Sequence, residues 1–188
     1  MTSDHDRQLL LRIAREAIAA HVSGTPAHVP GAVDILARPG GAFVTLHKRG
    51  DLRGCIGHIE PTEPLGVVVP RCAVAACSSD PRFPPLAPDE LDAIDIEISL
   101  LGPLEPIADP QEIVVGRDGL VVERGWQRGL LLPQVATEWN WDAAAFLAQT
   151  CHKAGLPLDA WEKGAKVWKF EAEVFAERER SSGAGGRR

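Results

Sequence analysis

Ala42-Phe43-Val44-Thr45-Leu46-His47-Lys48-Arg49-Gly50-Asp51-Leu52-Arg53-Gly54-Cys55-Ile56-Gly57-His58-Ile59 reads as two strands folded about a tight turn. Phe43, Thr45 and His47 alternate with apolar neighbours over Ala42 to Lys48. Arg49-Gly50-Asp51 is turn chemistry, and Leu52 to Ile59 supplies the returning strand. A hairpin of this kind implies antiparallel pairing. Its second strand is unusual, because two glycines bracket a cysteine two residues beyond an arginine. Glycine weakens a ladder and offers nothing to pack, so in a strand it marks a bulge or a close approach to the backbone. Strict alternation would put Arg53 and Cys55 on one face, where the guanidinium favours the thiolate. The competing reading makes Cys55 a small buried hydrophobe.

Working outward, Leu9, Leu10, Ile13, Ala14, Ala17 and Ile18 recur at helical spacing, with Thr2, Ser3 or Asp4 as cap and Gly24 as stop. A connector rich in turn residues follows, including Pro26, Pro30 and Pro39. Glu63 to Ser78 reads as a second helix, which Pro70 should kink or divide. Ser79 to Leu86 is a loop stiffened by Pro81, Pro84 and Pro85, and a short helix begins near Asp89. Ile94 to Leu100 alternates as a strand, its Asp95, Glu97 and Ser99 pointing to a solvated face. Gly119 to Arg124 and Arg128 to Leu132 form a second hairpin around Gly125-Trp126. Pro133 opens a turn of helix, Asp142 to Lys153 a longer one, and Trp168, Phe170, Ala172 and Val174 one face of a late strand. Strands joined by hairpins and irregular helices, without a βα rhythm, predict an α+β fold with a largely antiparallel sheet flanked by helices.

A chain of 188 residues suits one substantial domain, read here as residues 1–177 with a charged, then Ser/Gly-rich, disordered tail over 178–188. The net charge of −6 disfavours a nucleic-acid partner, whose phosphates call for a basic surface. No apolar run is long enough for a membrane span, and the amphipathic N-terminal stretch is not a signal peptide. The 4 cysteines lack short paired spacing, which points to free thiols in a cytoplasmic protein.

Three stretches in order carry a resemblance: Leu52-Arg53-Gly54-Cys55-Ile56-Gly57, Asp80-Pro81-Arg82-Phe83-Pro84-Pro85-Leu86, and Gly129-Leu130-Leu131-Leu132-Pro133-Gln134-Val135-Ala136. Trp141-Asp142, Phe146-Leu147 and Cys151-His152-Lys153-Ala154-Gly155-Leu156 follow them. Together they resemble the AMMECR domain family, in particular its prokaryotic branch, the AmmeMemoRadiSam system protein A group. The resemblance covers roughly residues 5–177. It implies two unequal subdomains with a cleft between them and the Arg-Gly-Cys-Ile-Gly motif near that cleft. It also implies two partners, a Memo-like protein of class III extradiol dioxygenase fold and a radical-SAM protein. It supplies no activity. Pro70 and His58 depart from the family pattern.

The candidate site residues are Cys55 as nucleophile or redox thiol, with Arg53, Gly54, Gly57, Asp80, Arg82, Gln134 and Glu138 around the substrate. Asp80 and Arg82 sit on a stiff loop, where a scaffold can hold functional groups, although mutual pairing explains them as well. Gln134 and Glu138 lie one helical turn apart and can face one space, or belong to a surface helix. Cys72, Cys77 and Cys151 are most simply core thiols. No metal is expected, since Cys55 and His58 point to opposite faces of a regular strand. No cofactor is implied. Five tryptophans offer a stacking platform, but most tryptophans are core or boundary packing. Two functions follow: a cysteine-dependent enzyme acting on a small molecule or a macromolecule, or a non-catalytic adaptor that delivers substrate to the two partners.

Overall fold

In the computed structural model, residues 2–26, 31 and 33–178 are described. They form two compact units, one within residues 2–100 together with 173–178, the other residues 101–172. The expected tail lies beyond the described residues except for Arg178, which pairs with Asp95 at 3.3 Å.

The first unit opens with α1 (Asp4–Ser23). Ser3 caps it by accepting the Asp6 N–H, and Gly24 ends it in the left-handed conformation at φ 66°. A short helix, α2 (Asp34–Ala37), follows in the connector, where the sequence shows too few residues for a period. β1 (Ala42–Lys48) and β2 (Asp51–His58) form the predicted hairpin. Its two-residue turn needs positive φ twice, and Arg49 (55°) and Gly50 (90°) supply it.

Two irregularities decide the local geometry. First, the register slips between Leu46 and His47: Leu46 faces Gly54 while His47 faces Leu52. Arg53 is therefore the extra residue of a β-bulge. Second, α3 (Leu65–Ser78) runs through Pro70 as one helix, so of the expected kink or division the division does not occur.

A 3₁₀ turn, Pro88–Ala93, leads to β3 (Ile94–Leu101), which pairs antiparallel with β1. Val44, Leu46, Ile96 and Ile98 pack against Val68, Val69, Cys72, Ala73 and Ala76 of α3 and the apolar stripe of α1. Each fully buried aliphatic side chain contributes roughly 1.5–3 kcal/mol, so this face fixes the register of all three strands. The chain returns at Glu173, and the Glu177 N–H donates to the Ile96 carbonyl.

The second unit holds β4 (Glu105–Ile107), β5 (Asp118–Arg124), β6 (Gln127–Leu131), α4 (Pro133–Glu138), α5 (Ala143–Lys153) and most of β7 (Lys166–Ala176). β5 lies between β6 and β7, and β4 also pairs with β7, all antiparallel. Asp142 caps α5 by accepting the Ala145 N–H at 2.7 Å. Leu120, Val122, Phe146, Leu147, Cys151 and Val167 form the core. The expected apolar face of β7 does not hold along its length. Val167 and Phe170 are its most buried residues and Val174 is exposed, because the strand passes from one unit into the other. Trp126, at the hairpin tip, and Trp139, stacked on Trp141, are exposed. The protein is thus α+β with antiparallel strand pairing, and among the described residues no helix is long and apolar enough to cross a membrane.

Candidate functional site

The bulge in β2 separates the two residues that strict alternation places together. The guanidinium of Arg53 turns to the segment after α3. Its Nε and Nη2 donate to the two carboxylate oxygens of Glu90 at 3.1 and 2.8 Å, and Nη1 donates to the Pro84 carbonyl at 3.0 Å. Lys48 Nζ adds a third cationic donor to Glu90 at 2.7 Å. These bonds, led by Arg53, hold the Glu90 carboxyl well below the usual range. The thiol that feels Arg53 is that of Cys77 in α3. The expectation that Arg53 activates Cys55 is therefore corrected: Arg53 fastens the loop to the bulge.

The same slip carries Thr45 to a position opposite Cys55. A hairpin paired evenly back from Lys48 and Asp51 would have put Gly54 there. Thr45 Oγ1 donates to Cys55 Sγ at 3.2 Å, and on the other side Thr45 pairs with Glu97 of β3. Cys55, Thr45 and Glu97 thus form one cross-strand row on the sheet face away from α3. Glu97 is not on a solvated face, as its alternation suggested: its side chain is 14% exposed and lies 4.0 Å from His47 Nε2.

Asp80 and Arg82 meet Cys55 through its backbone. Asp80 Oδ2 accepts the Cys55 N–H at 2.9 Å and Arg82 Nη2 at 2.6 Å. Oδ1 accepts the Arg82 N–H and Nε at 3.1 and 2.9 Å. Arg82 Nη2 also approaches the Cys55 carbonyl at 3.4 Å. The Asp80 side chain is almost wholly buried, yet the Arg82 guanidinium and these N–H donors hold its carboxyl far below the usual range.

Burial pushes the Cys55 thiol above its ordinary value. The Thr45 hydroxyl and the Arg82 charge oppose that rise, while Asp80 and Glu97 add to it. Cys55 is accordingly a protonated thiol at neutral pH, and it needs a base to react. It is half-buried, whereas Cys72, Cys77 and Cys151 are buried. Cys72, pushed up to about 11, and Cys77 donate to the carbonyls of Ala42 and Val74.

Both motif glycines are approached closely, and by the chain itself. A Cβ on Gly54 would stand 2.1 Å from the Ala76 carbonyl oxygen of α3, and one on Gly57 would stand 2.3 Å from the Phe43 ring. The arrangement joins Cys55, Asp80 and Arg82 in the first unit. Gln134 and Glu138 lie on α4 of the second unit, half-buried and exposed respectively. Among the described residues no three His, Cys, Asp or Glu side chains group as a metal site. Thr45, Glu90 and Glu97 are the participants that motif reading missed, and only the bulge would have revealed Thr45.

The model of the AMMECR1 family matches residues 11–175. A protein from Methanothermobacter thermautotrophicus is 50% identical over 93% of this chain and 96% of its own length. One from Thermococcus gammatolerans is 46% identical, over 90% and 89%. The crystal structure of the uncharacterized protein PH0010 from Pyrococcus horikoshii superposes with a TM-score of 0.84 at 44% identity, covering 90% of each chain. On the matched span and these identities, the chain belongs to the AMMECR1 family.

Proposed function

We propose that this AMMECR1-family protein is a cytoplasmic cysteine-dependent enzyme, acting on a small molecule or a macromolecule alongside a Memo-like protein and a radical-SAM protein. The observation that carries the reading is that Cys55 alone among the four thiols is not fully buried, and that it stands in a row with a hydroxyl and a carboxylate. The Sγ–H proton passes to a base, for which Glu97 is the carboxylate in the same cross-strand row, and as the sulfur pair bonds to an unsaturated electrophilic centre of the substrate the displaced π pair moves onto that centre's heteroatom. Thr45 donates a hydrogen bond that stabilises the thiolate as it forms. Asp80 and Arg82 hold the Cys55 backbone, Arg82 borders the substrate, and Gly54 and Gly57 shape the strand beneath it. Gln134 and Glu138, on α4 of the second unit, are proposed as substrate-binding groups in their own right.

A second reading makes the protein a non-catalytic adaptor for the same two partners. It draws on the protonated state of Cys55 and on the mutual satisfaction of Arg53, Glu90, Asp80 and Arg82, which an adaptor needs for rigidity alone. Purified Memo-like and radical-SAM proteins separate the two. Binding unchanged by Cys55→Ala, with Cys55-dependent conversion of a metabolite, supports the enzyme; binding without any such conversion supports the adaptor.

A further inference from the structure

Two arginines reach the neighbourhood of Cys55, and their donors are spent differently. Arg53 has partners for Nε, Nη1 and Nη2, and its side chain is only 12% exposed. Arg82 commits Nε and Nη2 to the buried Asp80 carboxylate and leaves Nη1 without a partner among the described residues. Its side chain is 54% exposed. An exposed arginine is ordinarily mobile and a poor recognition element, because ordering it costs rotamer entropy. Here that cost is already met within the chain. One edge of the guanidinium is held bidentate by Asp80, and its carbon lies 5.5 Å from the centre of the Phe83 ring. The remaining edge is open, beside the residue that carries the thiol.

We propose that Arg82 is the substrate-recognition cation of this site, and that the molecule presented to Cys55 carries an anionic group, a carboxylate or a phosphate, close to its electrophilic centre. The proposal rests on the reading of Cys55 as the reacting thiol. It moves anion recognition from Arg53, whose donor nitrogens are all engaged and whose side chain is only 12% exposed, to Arg82, whose Nη1 is open to solvent. With Nε and Nη2 taken by Asp80 and the Cys55 carbonyl, Nη1 presents charge-assisted N–H donors to one oxygen of a carboxylate or phosphate. Asp80 has a positioning role in it, because it fixes the guanidinium and never touches the substrate. Consistent with this placement, Arg82 is the strongest single charge acting on the thiol.

The test uses two alkylating probes of nearly equal size, anionic iodoacetate and neutral iodoacetamide. Both attack the same thiolate, so a change in the thiol pKa cancels in the ratio of their rates. Labelling of Cys55 in the full-length protein is followed by peptide mass spectrometry, with free cysteine in the same buffer as reference. The iodoacetate-to-iodoacetamide ratio at Cys55 should exceed that of free cysteine by about three- to fivefold, the scale of one half-exposed ion pair. Arg82→Gln should return it to the free-cysteine value, and Arg82→Lys should retain part of the excess. Inorganic phosphate should slow iodoacetate at Cys55 in the wild type and leave iodoacetamide unaffected, a readout that survives if the variants fold poorly. A wild-type ratio equal to that of free cysteine, or an excess that phosphate leaves intact, overturns the proposal. Neither outcome bears on whether Cys55 turns over substrate, which Cys55→Ala tests separately.

Discussion

The Asp80 carboxylate accepts the backbone N–H of Cys55 at 2.9 Å while it pairs with Arg82, so one buried side chain ties the 80–86 loop to β2. Asp80→Asn keeps the shape but loses the charge that holds Arg82. It should cost about 2 kcal/mol, read as a lower urea midpoint at unchanged slope. Acid should act at the same place. Asp80 and Glu90 both have folded-state pKa values below their unfolded ones. Their contributions are present above the ordinary carboxylate value of about 4 and are lost as pH falls from there toward the folded values. The thermal midpoint should be level above about pH 5 and fall below about pH 4, less steeply in an Asp80→Asn, Glu90→Gln double variant. Equal slopes for wild type and double variant would remove these carboxylates from the account.

The two glycines of the motif should respond differently to a methyl group. At Gly54 the obstacle is the Ala76 backbone carbonyl, which cannot yield without displacing α3, so Gly54→Ala should cost about 3 kcal/mol or prevent folding. At Gly57 the obstacle is the Phe43 side chain, which can turn away. Gly57→Ala should therefore be milder, and Phe43→Leu should recover part of the loss. Chemical denaturation of the wild type, the three single variants and the Phe43→Leu, Gly57→Ala double variant measures both effects. Additive losses for Phe43→Leu with Gly57→Ala would contradict the packing described.

Cys55 should be slow but not inert toward iodoacetamide. With its pKa raised, its alkylation rate should climb through and beyond the ordinary thiol range rather than level off near neutrality. It should still exceed the rate at Cys72, whose thiol is buried and pushed up to about 11. Thr45→Val removes the hydrogen bond to sulfur and should move the Cys55 profile to still higher pH. Arg53→Ala should leave that profile in place, since its partner is Glu90. A Cys55 profile levelling off near pH 7, or one unmoved by Thr45→Val, would show the thiol environment to be different from the one described.

The antiparallel α+β character was legible because the hairpin from Ala42 to Ile59 and the alternation of Ile94 to Leu100 are strong local signals. Gly24 was equally plain as a helix stop, and Ser3 was one of three cap residues on offer, whereas Asp142, read as the first residue of its helix, is the cap that satisfies an orphan backbone N–H. Arg53 was misjudged for one physical reason. A bulge adds a residue without altering composition, and everything beyond it changes partner. Glu97 was misread because alternation gives a side chain's face and not what covers that face. Asp80, Arg82 and Cys55 stood out as a loop and a strand, but that they meet through a backbone N–H is a tertiary fact.

The measurement closest to the central claim is turnover by the reconstituted system. Wild type and Cys55→Ala are combined in parallel with purified Memo-like and radical-SAM proteins, and candidate metabolites are followed by mass spectrometry. Removing a nucleophile from a site that depends on it should lower conversion by 10³-fold or more, on the order of the losses seen when such residues are deleted. Circular dichroism and the urea midpoint of the variant should stay close to wild type, because the alanine removes only a half-buried sulfur. Loss of conversion in a folded Cys55→Ala protein is the predicted result, and full conversion by that variant would contradict the account.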